Sequence, residues 1–290
     1  MSWRTVIITQ SAKLDYQMGF MVVRQKENVK IHVNEIAAVI IETTAVSLTV
    51  ALLSELTKRK IKVIFCDERR NPSSELIPYY GSHDTSEKIR RQIAWSNNIK
   101  EAVWTEIVAE KIRKQAQHLE KYGCSESKML HQYLKEIEFG DATNREGHAA
   151  KVYFNALFGR DFSRTADISL NAALNYGYGI LLSMINREIV SNGYITQLGL
   201  FHDNMFNPFN LGSDLMEPFR PVIDRIVKVL NPEKFEHEEK IAVLEFLQEE
   251  VIIAGRRELM QNAIKIYCKS IFDALNECDP ALIQFYLYEL

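Results

Sequence analysis

The spacing of apolar residues changes once along this chain, and that change limits the possible folds more than any other feature. Up to residue 66 the apolar residues form short β-rich runs, such as 5–9, 20–23 and 38–42, separated by polar turns. Such runs are typical of hairpins in a small antiparallel unit. From residue 86 onward the apolar residues repeat at helical spacing. The change falls within residues 72–85, where Pro72, Pro78 and Gly81 interrupt regular structure.

These patterns predict an α+β protein with two domains. We expect a small N-terminal antiparallel β domain over residues 1–78, a linker over 79–88 and a larger all-α catalytic domain over 89–290. Within the first domain a helix is predicted at 48–60 and a buried strand at 62–66. In the second domain, helices are predicted at 86–122 (one long or two abutting), 126–137, 168–191 and, as two further helices, within 235–276.

Composition points to a soluble globular protein. The chain has 290 residues, of which 47% are hydrophobic and 25% charged, so it can bury more than one core. No basic segment followed by a long apolar one begins the chain, and no uninterrupted apolar run approaches membrane-spanning length, so we expect a cytosolic location and no membrane partner. The four cysteines are far apart, which favours reduced, partly buried thiols over a zinc site.

Charge is distributed unevenly. The net charge of -3 is unlike the basic excess typical of nonspecific DNA binding. However, the first 130 residues have an excess of Lys and Arg, whereas the remainder has an excess of Asp and Glu. A basic first half suits a polyanion, and an acidic middle suits a cation.

Glu146 lies where a helix is predicted to face the core. At about 100° per residue, Glu146, Ala150, Tyr153 and Leu157 share one stripe, whereas His148 belongs to the opposite face. A buried carboxylate needs hydrogen-bond donors, a cation or a metal ion. A structural alternative is a capping box at residues 143–146, in which Glu146 would reach back to the backbone of Thr143.

Two later segments contain similar residues. His202 lies among aromatic residues, where a lone histidine is usually part of the core. Asp214 and Glu217 are three residues apart at a predicted helix start, where they could instead form an N-cap and capping box. Taken together, carboxylates and one imidazole suit a manganese or magnesium ion better than structural zinc. Spacing alone does not show that these positions converge.

Several other motifs are missing from the sequence. It contains no P-loop, dinucleotide-binding fingerprint, G-x-S-x-G elbow or helical H-E-x-x-H. Motors driven by nucleotides, hydride transfer and acyl-serine chemistry are therefore disfavoured.

A set of ordered motifs resembles the CRISPR-associated integrase family Cas1, and most of all its type II branch. These motifs are Trp3-Arg-Thr-Val-Ile, Val63-Ile-Phe-Cys-Asp67, Asn144-Arg-Glu-Gly-His-Ala-Ala150, Asn171-x-x-Leu-x-Tyr-x-Tyr178, Gly199-x-x-His202 and Ser213-Asp-x-Met-Glu-Pro-Phe-Arg-Pro221. They extend over nearly the whole chain, and the residues after about 231 match least.

The resemblance implies a function and a set of site residues. Glu146, His202 and Glu217 match the family's catalytic metal ligands, for Mg²⁺ or Mn²⁺. Many branches have an aspartate in place of Glu217, so Asp214 either assists Glu217 or competes with it. The implied activity is the insertion of foreign DNA fragments into a CRISPR array, in which a 3′-hydroxyl attacks a phosphodiester at the border of a repeat.

The resemblance also implies partners. These are double-stranded DNA (the captured fragment and the repeat), a second copy in a homodimer, a Cas2 dimer in a heterohexamer, and other adaptation proteins of the same system. Positions near the motifs that could contact DNA, or could equally be surface charges, are Arg145, Lys151, Arg164, Arg187, Arg220 and the basic helix 88–121. Alternative functions are a non-catalytic DNA-binding assembly subunit and a nuclease that cuts branched DNA without integrating it.

Overall fold

The computed structural model describes residues 4–78 and 82–288, and it confirms the predicted α+β class. Two compact units are present. The N-terminal unit comprises Met1–Thr85 with Val190–Gly193, and the helical unit comprises Ser86–Ile189 with Tyr194–Leu290. The domain limits 1–78 and 89–290 stay predictions, and residues 79–81 of the predicted linker lie outside the described residues.

Among its described residues, the N-terminal unit contains two four-stranded sheets, one α-helix between strands and the 3₁₀ helix Val33–Glu35. Its elements are β1 (Arg4–Ile8), β2 (Ala12–Gln17), β3 (Phe20–Arg24), β4 (Asn28–His32), β5 (Ile36–Ile41), β6 (Val46–Leu48), α1 (Val50–Lys58), β7 (Lys62–Cys66) and β8 (Pro72–Glu75). The strand orders are β1-β5-β7-β8 and β4-β3-β2-β6.

The predicted antiparallel arrangement is wrong for part of this unit. Strands β1, β5 and β7 are parallel to one another, and β6 is parallel to β2. Parallel neighbours need a crossover connection, which α1 provides between β5 and β7. The signal was in β5, because all six of its residues are buried, and a continuous apolar run is typical of a parallel strand covered on both faces.

The core of the N-terminal unit lies between these sheets and α1. Thr49 caps α1 by accepting a hydrogen bond from the Leu52 backbone N–H. This helix then buries Leu52 and Leu56 against the sheet residues. The fully buried members of the cluster are Leu14, Met21, Val33, Ile36, Val39, Leu52, Leu56 and Val63.

The helical unit is built around α3. Its elements are α2 (Thr85–Ala94), α3 (Asn97–Lys121), α4 (Ser127–Lys135), α5 (Arg145–Phe158), α6 (Ser169–Ser191), α7 (Asn210–Leu215), α8 (Arg220–Leu230), α9 (His237–Leu244), β9 (Glu250–Ile253), β10 (Arg256–Leu259) and α10 (Met260–Glu277). Helix α3 contacts α4, α5, α8 and α10. The predicted helix at 86–122 is therefore two abutting helices, and Gly123, with φ of 67°, follows the second.

One hairpin contradicts the all-α prediction for this unit. Strands β9 and β10 pair antiparallel where the sequence predicted only two helices within 235–276. Ala254 and Gly255 connect them, with φ of 50° and 71°. Two central residues with positive φ are what a tight hairpin turn requires, and the β-branched run Val251-Ile-Ile253 supplies the first strand.

In the part of the chain that the structure describes, no helix is both long and apolar enough to cross a membrane.

All four cysteines are free thiols. Cys66 and Cys268 are buried, Cys124 is partly buried, and Cys278 is exposed.

Candidate metal centre

Helix α5 presents Glu146 in its first turn. Asn144 caps the helix by accepting a hydrogen bond from the Gly147 N–H, and the Asp141 carboxylate accepts two more, from the Arg145 N–H (2.7 Å) and the Glu146 N–H (3.1 Å). The predicted capping box is therefore wrong, because Asn144 and Asp141 do this work. Glu146 is free to use its carboxylate elsewhere, and its Oε1 accepts from Lys111 Nζ.

The predicted stripe of α5 is present. Tyr153 and Leu157 are buried, Ala150 is partly buried, and His148 on the other face is exposed. Glu146 lies at the end of this stripe with its side chain 26% exposed. The apolar residues thus hold α5 against the unit and leave the carboxylate at the edge of the core.

Glu217 lies in a 3₁₀ turn, Glu217–Phe219, between α7 and α8. Its side chain is buried, with Oε1 accepting from Arg220 Nε at 2.9 Å and Oε2 accepting from Lys111 Nζ. Burial raises the pKa of Glu217, but Arg220 and Lys111 lower it further, so the net shift is downward and the carboxylate is ionised. The predicted capping box from Asp214 is wrong, since Asp214 lies inside α7.

Lys111 of α3 joins the two glutamates. Its ammonium donates to Glu146 Oε1 and to Glu217 Oε2, and only 7% of the side chain is exposed. Burial lowers the pKa of Lys111, whereas Glu217 and Glu146 raise it more, so the lysine stays charged. In the sequence, Lys111 stands out only as part of the basic helix 88–121. Its spacing of four residues from Ile107, which is fully buried, was the signal that it faces inward.

His202 lies in the loop between α6 and α7 and is held by Asp214. The fully buried Asp214 carboxylate bonds His202 Nδ1 at 2.6 Å and accepts from the backbone N–H groups of Leu200, Phe201 and His202. The hydrogen bond that the ring donates to Asp214 raises the pKa of His202, against the effect of burial. With Nδ1 protonated towards Asp214, Nε2 of the neutral ring has its lone pair available, and it has no hydrogen-bond partner within residues 4–78 and 82–288.

Gly199 allows this loop to approach α7. A Cβ atom at Gly199 would lie 2.3 Å from the His202 carbonyl oxygen and 2.7 Å from Asp214 Oδ2. Any side chain at position 199 would therefore displace the histidine or its carboxylate partner.

Glu146 and Glu217 line one cavity, and His202 lines another. The first cavity, of about 210 Å³, is lined by residues of α3, α5, α6 and α8, of the loop between α5 and α6, and of the 3₁₀ turn before α8, namely Lys111, Gln115, Glu146, Ala150, Phe154, Arg164, Tyr178, Glu217, Arg220 and Asp224. His202 lines a cavity of about 440 Å³ beside Trp95 and Phe201. The imidazole is near enough for Glu217 to raise its pKa. Among the described residues, no three acidic, histidine or cysteine side chains are already arranged around one metal position.

The opposite wall of the smaller cavity is polar and cationic. Tyr178 donates to Asp224 Oδ1, and the Arg220 guanidinium lies 4.6 Å from the centre of the Tyr178 ring. Burial raises the pKa of Asp224 to about 6. Arg164 donates to Asn171 and Asn175 at 2.6 and 2.7 Å. Tyr178 of α6 thus bonds Asp224 of α8, while Asn171 and Asn175 hold an arginine.

The other basic candidates lie outside this cavity. Arg145 pairs with Glu136 at 3.1 Å, and Arg187 pairs with Glu188 at 2.6 Å. Lys151 is exposed. Only Arg164 and Arg220 of the basic residues named near the motifs line the same cavity as the glutamates.

The donor set fits a divalent cation. Two ionised carboxylates already converge on one positive group, the Lys111 ammonium, so their oxygens are arranged to share a cation. Hard cations prefer such oxygens, and an imidazole oriented by a carboxylate is a common metal ligand. The residues that would hold the ion are Glu146, Glu217 and His202, with Asp214 orienting the histidine.

Comparison with known proteins places these residues in a family. The family model described as CRISPR associated protein Cas1 matches residues 5–248. The CRISPR-associated endonuclease Cas1 of Neisseria meningitidis serogroup C is 36% identical over 229 residues, which cover 78% of this chain and 75% of that protein. A Cas1 endonuclease of Francisella tularensis subsp. novicida is 27% identical over 237 residues, covering 74% of each chain.

Solved structures share the fold. A casposase bound to integration product has a TM-score of 0.77 at 16% identity, covering 96% of this chain and 92% of its own. A Cas1 protein from Thermotoga maritima has a TM-score of 0.75 at 19% identity, covering 94% and 97%. Because the family model spans most of the chain and a Cas1 endonuclease exceeds a third identity over three quarters of its own length, this chain belongs to the Cas1 family of CRISPR-associated proteins.

Proposed function

We propose that this chain is a metal-dependent DNA integrase that inserts foreign DNA fragments as new spacers into a CRISPR array. The observation that carries the proposal is the convergence of Glu146 and Glu217, from distant parts of the sequence, on one cation in a cavity bordered by Arg164 and Arg220. Membership of the Cas1 family supports it, as does the name endonuclease given to its relatives.

The proposed reaction exchanges one phosphodiester for another. The 3′-oxygen of the fragment bonds to phosphorus at the border of the repeat, and the bond from that phosphorus to the 3′-oxygen of the repeat strand breaks. The attacking hydroxyl loses a proton and the departing oxygen gains one, so no water is consumed. A bound divalent cation supplies Lewis acidity that stabilises charge on the phosphate and lowers the pKa of the hydroxyl.

Each side chain has a separate task in this proposal. Glu146 and Glu217 provide the negative charge that binds the cation, and the Asp214 carboxylate fixes the orientation of His202. Arg164 lines the cavity with its guanidinium held by two asparagines, so it can donate to a phosphodiester oxygen without first being ordered. Arg220 is fixed by Glu217 and stacked on Tyr178, which places a second cation beside the same substrate.

The first test is strand joining by variants of the proposed ligands. We expect Glu146→Ala and His202→Ala to abolish joining of a short duplex to a plasmid that contains the repeat, in Mn²⁺ or Mg²⁺, while circular dichroism and gel filtration show folded protein. Glu136→Gln is the matched control, because Glu136 is a partly exposed carboxylate paired with Arg145 outside the cavity. Joining at the wild-type rate by Glu146→Ala would refute the assignment.

A nuclease that cuts without joining is the second candidate, since the curated relatives are named endonucleases. The same assay separates the two functions. Joined products appear as slower-migrating branched DNA, whereas hydrolysis yields only shortened strands. Cut products alone, on branched as well as repeat DNA, would favour the nuclease.

The proposed partners are double-stranded DNA, a second copy of the chain and a Cas2 dimer. A chain of a Cas6-RT-Cas1–Cas2 complex shares the fold over part of its length, with a TM-score of 0.74 and 18% identity, covering 99% of this chain and 36% of that chain. We propose a homodimer that assembles with Cas2 into a heterohexamer. Mass photometry of the mixed proteins tests this stoichiometry.

A further inference from the structure

Lys111 lies between Glu146 and Glu217, the two carboxylates that would hold a metal ion in the proposed function. Its ammonium donates to one oxygen of Glu146 and one of Glu217, and it approaches from the middle of α3, the longest helix of the unit. A buried ammonium with two carboxylate partners is well compensated, whereas each carboxylate alone would be costly. The lysine therefore stabilises the metal-free arrangement of the site.

The remaining contacts of Glu217 leave little room for a second cation. Its other oxygen accepts from Arg220 at 2.9 Å, so both oxygens of this carboxylate already face a positive group. A divalent ion placed beside Glu146 and Glu217 would meet the Lys111 ammonium at close range. Like charges so close in a partly buried site repel strongly, because little water is present to screen them.

We propose that Lys111 is a positioning residue that is exchanged for the divalent ion, so that metal binding displaces its ammonium from Glu146 and Glu217. The inference rests on the proposed function, because it assumes that these glutamates bind metal. In the metal-free protein Lys111 prevents the carboxylates from repelling one another. The cost of displacing it weakens metal binding, and the metal affinity of the enzyme is set partly by this lysine.

Lys114 provides a matched control on the same helix. It is as buried as Lys111, at 7% exposure, but its ammonium bonds Glu110 and the Tyr286 carbonyl oxygen and lies over the Tyr286 ring. None of these groups is a proposed metal ligand. Removal of either charge harms the fold, but only removal of Lys111 relieves competition with a metal ion.

The first experiment is a Mn²⁺ titration by calorimetry and by thermal unfolding. It uses the full chain as wild type, Lys111→Met, Lys111→Arg and Lys114→Met, with Glu217→Gln identifying the binding that belongs to this site. We expect Lys111→Met to unfold at a lower temperature without metal, to bind Mn²⁺ at least about tenfold more tightly, and to show a larger Mn²⁺-induced rise in Tm. Lys111→Arg and Lys114→Met retain the wild-type affinity or bind more weakly.

A purely structural role for Lys111 gives a different result. Lys111→Met would then lower the Tm with and without Mn²⁺ by the same amount, and its Mn²⁺ affinity would equal that of wild type. Equal or weaker binding by a folded Lys111→Met variant overturns the proposal.

A second measurement uses the wild-type protein, in case Lys111→Met does not fold without metal. Acetylation by a lysine-reactive ester is followed at each lysine by mass spectrometry, with and without saturating Mn²⁺. We expect the rate at Lys111 to rise at least about tenfold when Mn²⁺ binds, because its ammonium leaves two carboxylates. The rate at Lys114 stays constant. Unchanged labelling of Lys111 while Mn²⁺ is bound overturns the exchange.

These results distinguish the inference from the proposed function. If Mn²⁺ binds in a manner that depends on Glu217 but DNA strands are not joined, the proposed function fails and the affinities alone decide the role of Lys111. Without any binding that depends on Glu217, the metal site and the exchange are both wrong.

Discussion

Two polar clusters lie in the helical unit, one at the edge of its core and one inside it, and they differ in charge. In the first, Lys111 between Glu146 and Glu217, opposite charges face each other, and the shifted pKa values of Lys111 and Glu217 keep both groups ionised. In the second, burial prevails: it lowers the pKa of His118 to about 4 and raises that of Asp224 to about 6. We call them the charged cluster and the neutral cluster, the latter because burial shifts the pKa values of His118 and Asp224 towards their uncharged forms.

The difference between the clusters shows that burial alone does not decide whether a side chain is charged. His118 bonds Tyr153 at 2.6 Å, and cations, namely Arg225, Lys121 and Lys228, further lower its pKa. A buried group remains charged only where an opposite charge compensates for lost hydration. The charged cluster is therefore arranged to exchange one cation for another, whereas the neutral cluster is arranged to hold helices together.

The largest expected effect is that of Glu217→Gln in the charged cluster. It removes the buried carboxylate that pairs with both Arg220 and Lys111, so we expect a loss of about 3 kcal/mol in the free energy of unfolding, measured in urea. Strand joining falls at least about a hundredfold, because a ligand matters more than the group that orients it.

Glu110→Gln is the comparison for that variant. Glu110 is similarly buried and bonds Lys114 and Arg113 on α3, away from the cavity. We expect the Glu110→Gln substitution to lower the free energy of unfolding but to leave strand joining by the folded protein at the wild-type rate. Equal loss of joining by both variants would contradict the distinction.

The neutral cluster makes the free energy of unfolding depend on pH. Folding lowers the pKa of His118 from 6.5 to about 4, so its contribution to stability is present above pH 6.5 and is lost as pH falls towards 4. Folding raises the pKa of Asp224 from 3.8 to about 6, so its contribution is present below pH 3.8 and is lost as pH rises through 6. The His118 shift and the Asp224 shift each contribute about 3 kcal/mol to the free energy of unfolding. Because the two contributions change with pH in opposite directions, they nearly cancel between pH 4 and 6.

Single substitutions separate the contribution of His118 to the pH dependence of stability from the opposite contribution of Asp224. In His118→Gln we expect the free energy of unfolding to increase as pH falls from 6 to 4. In Asp224→Asn it decreases over the same range. Parallel pH profiles for both variants, measured by urea unfolding, would show that neither group is kept neutral by burial.

Asp214→Asn has a smaller effect and tests the support of His202. Without the carboxylate, the pKa of His202 drops, because the hydrogen bond that the ring donates to Asp214 is the largest contribution that raises this pKa. We expect a loss of about 10- to 100-fold in Mn²⁺ affinity or strand joining. Titration of the His202 ring by NMR gives the pKa change, and an unchanged pKa would contradict this role.

The smallest effect belongs to Tyr153→Phe in the neutral cluster. It removes the hydroxyl that bonds His118 and costs about 1 kcal/mol of stability. Mn²⁺ affinity and strand joining remain at wild-type values, measured by calorimetry and the joining assay. A change in either would mean that the two clusters are coupled.

The sequence predicted some of these features and missed others for physical reasons. The helical texture, the α+β class and the inward face of α5 follow from apolar spacing, and the family follows from ordered motifs. Spacing could not show that Asn144, with φ of 52°, rather than Thr143 caps α5, because a cap depends on backbone conformation.

Lys111 was the main omission at the site. A lysine in a basic helix normally has its ammonium in water, and only the long-range approach of Glu146 and Glu217 makes its burial tolerable. Likewise, the apolar run of β5 is typical of a parallel strand, but the strand it pairs with depends on where α1 returns the chain, which the run alone does not specify.

The Asp214 carboxylate has a thermodynamic consequence for whatever ligand His202 meets. By holding three successive backbone amides and the imidazole, it freezes the 200–202 segment when the chain folds. The conformational entropy of this segment is therefore lost during folding and not during ligand binding. Association at the imidazole then proceeds with a small entropic penalty and little change in shape.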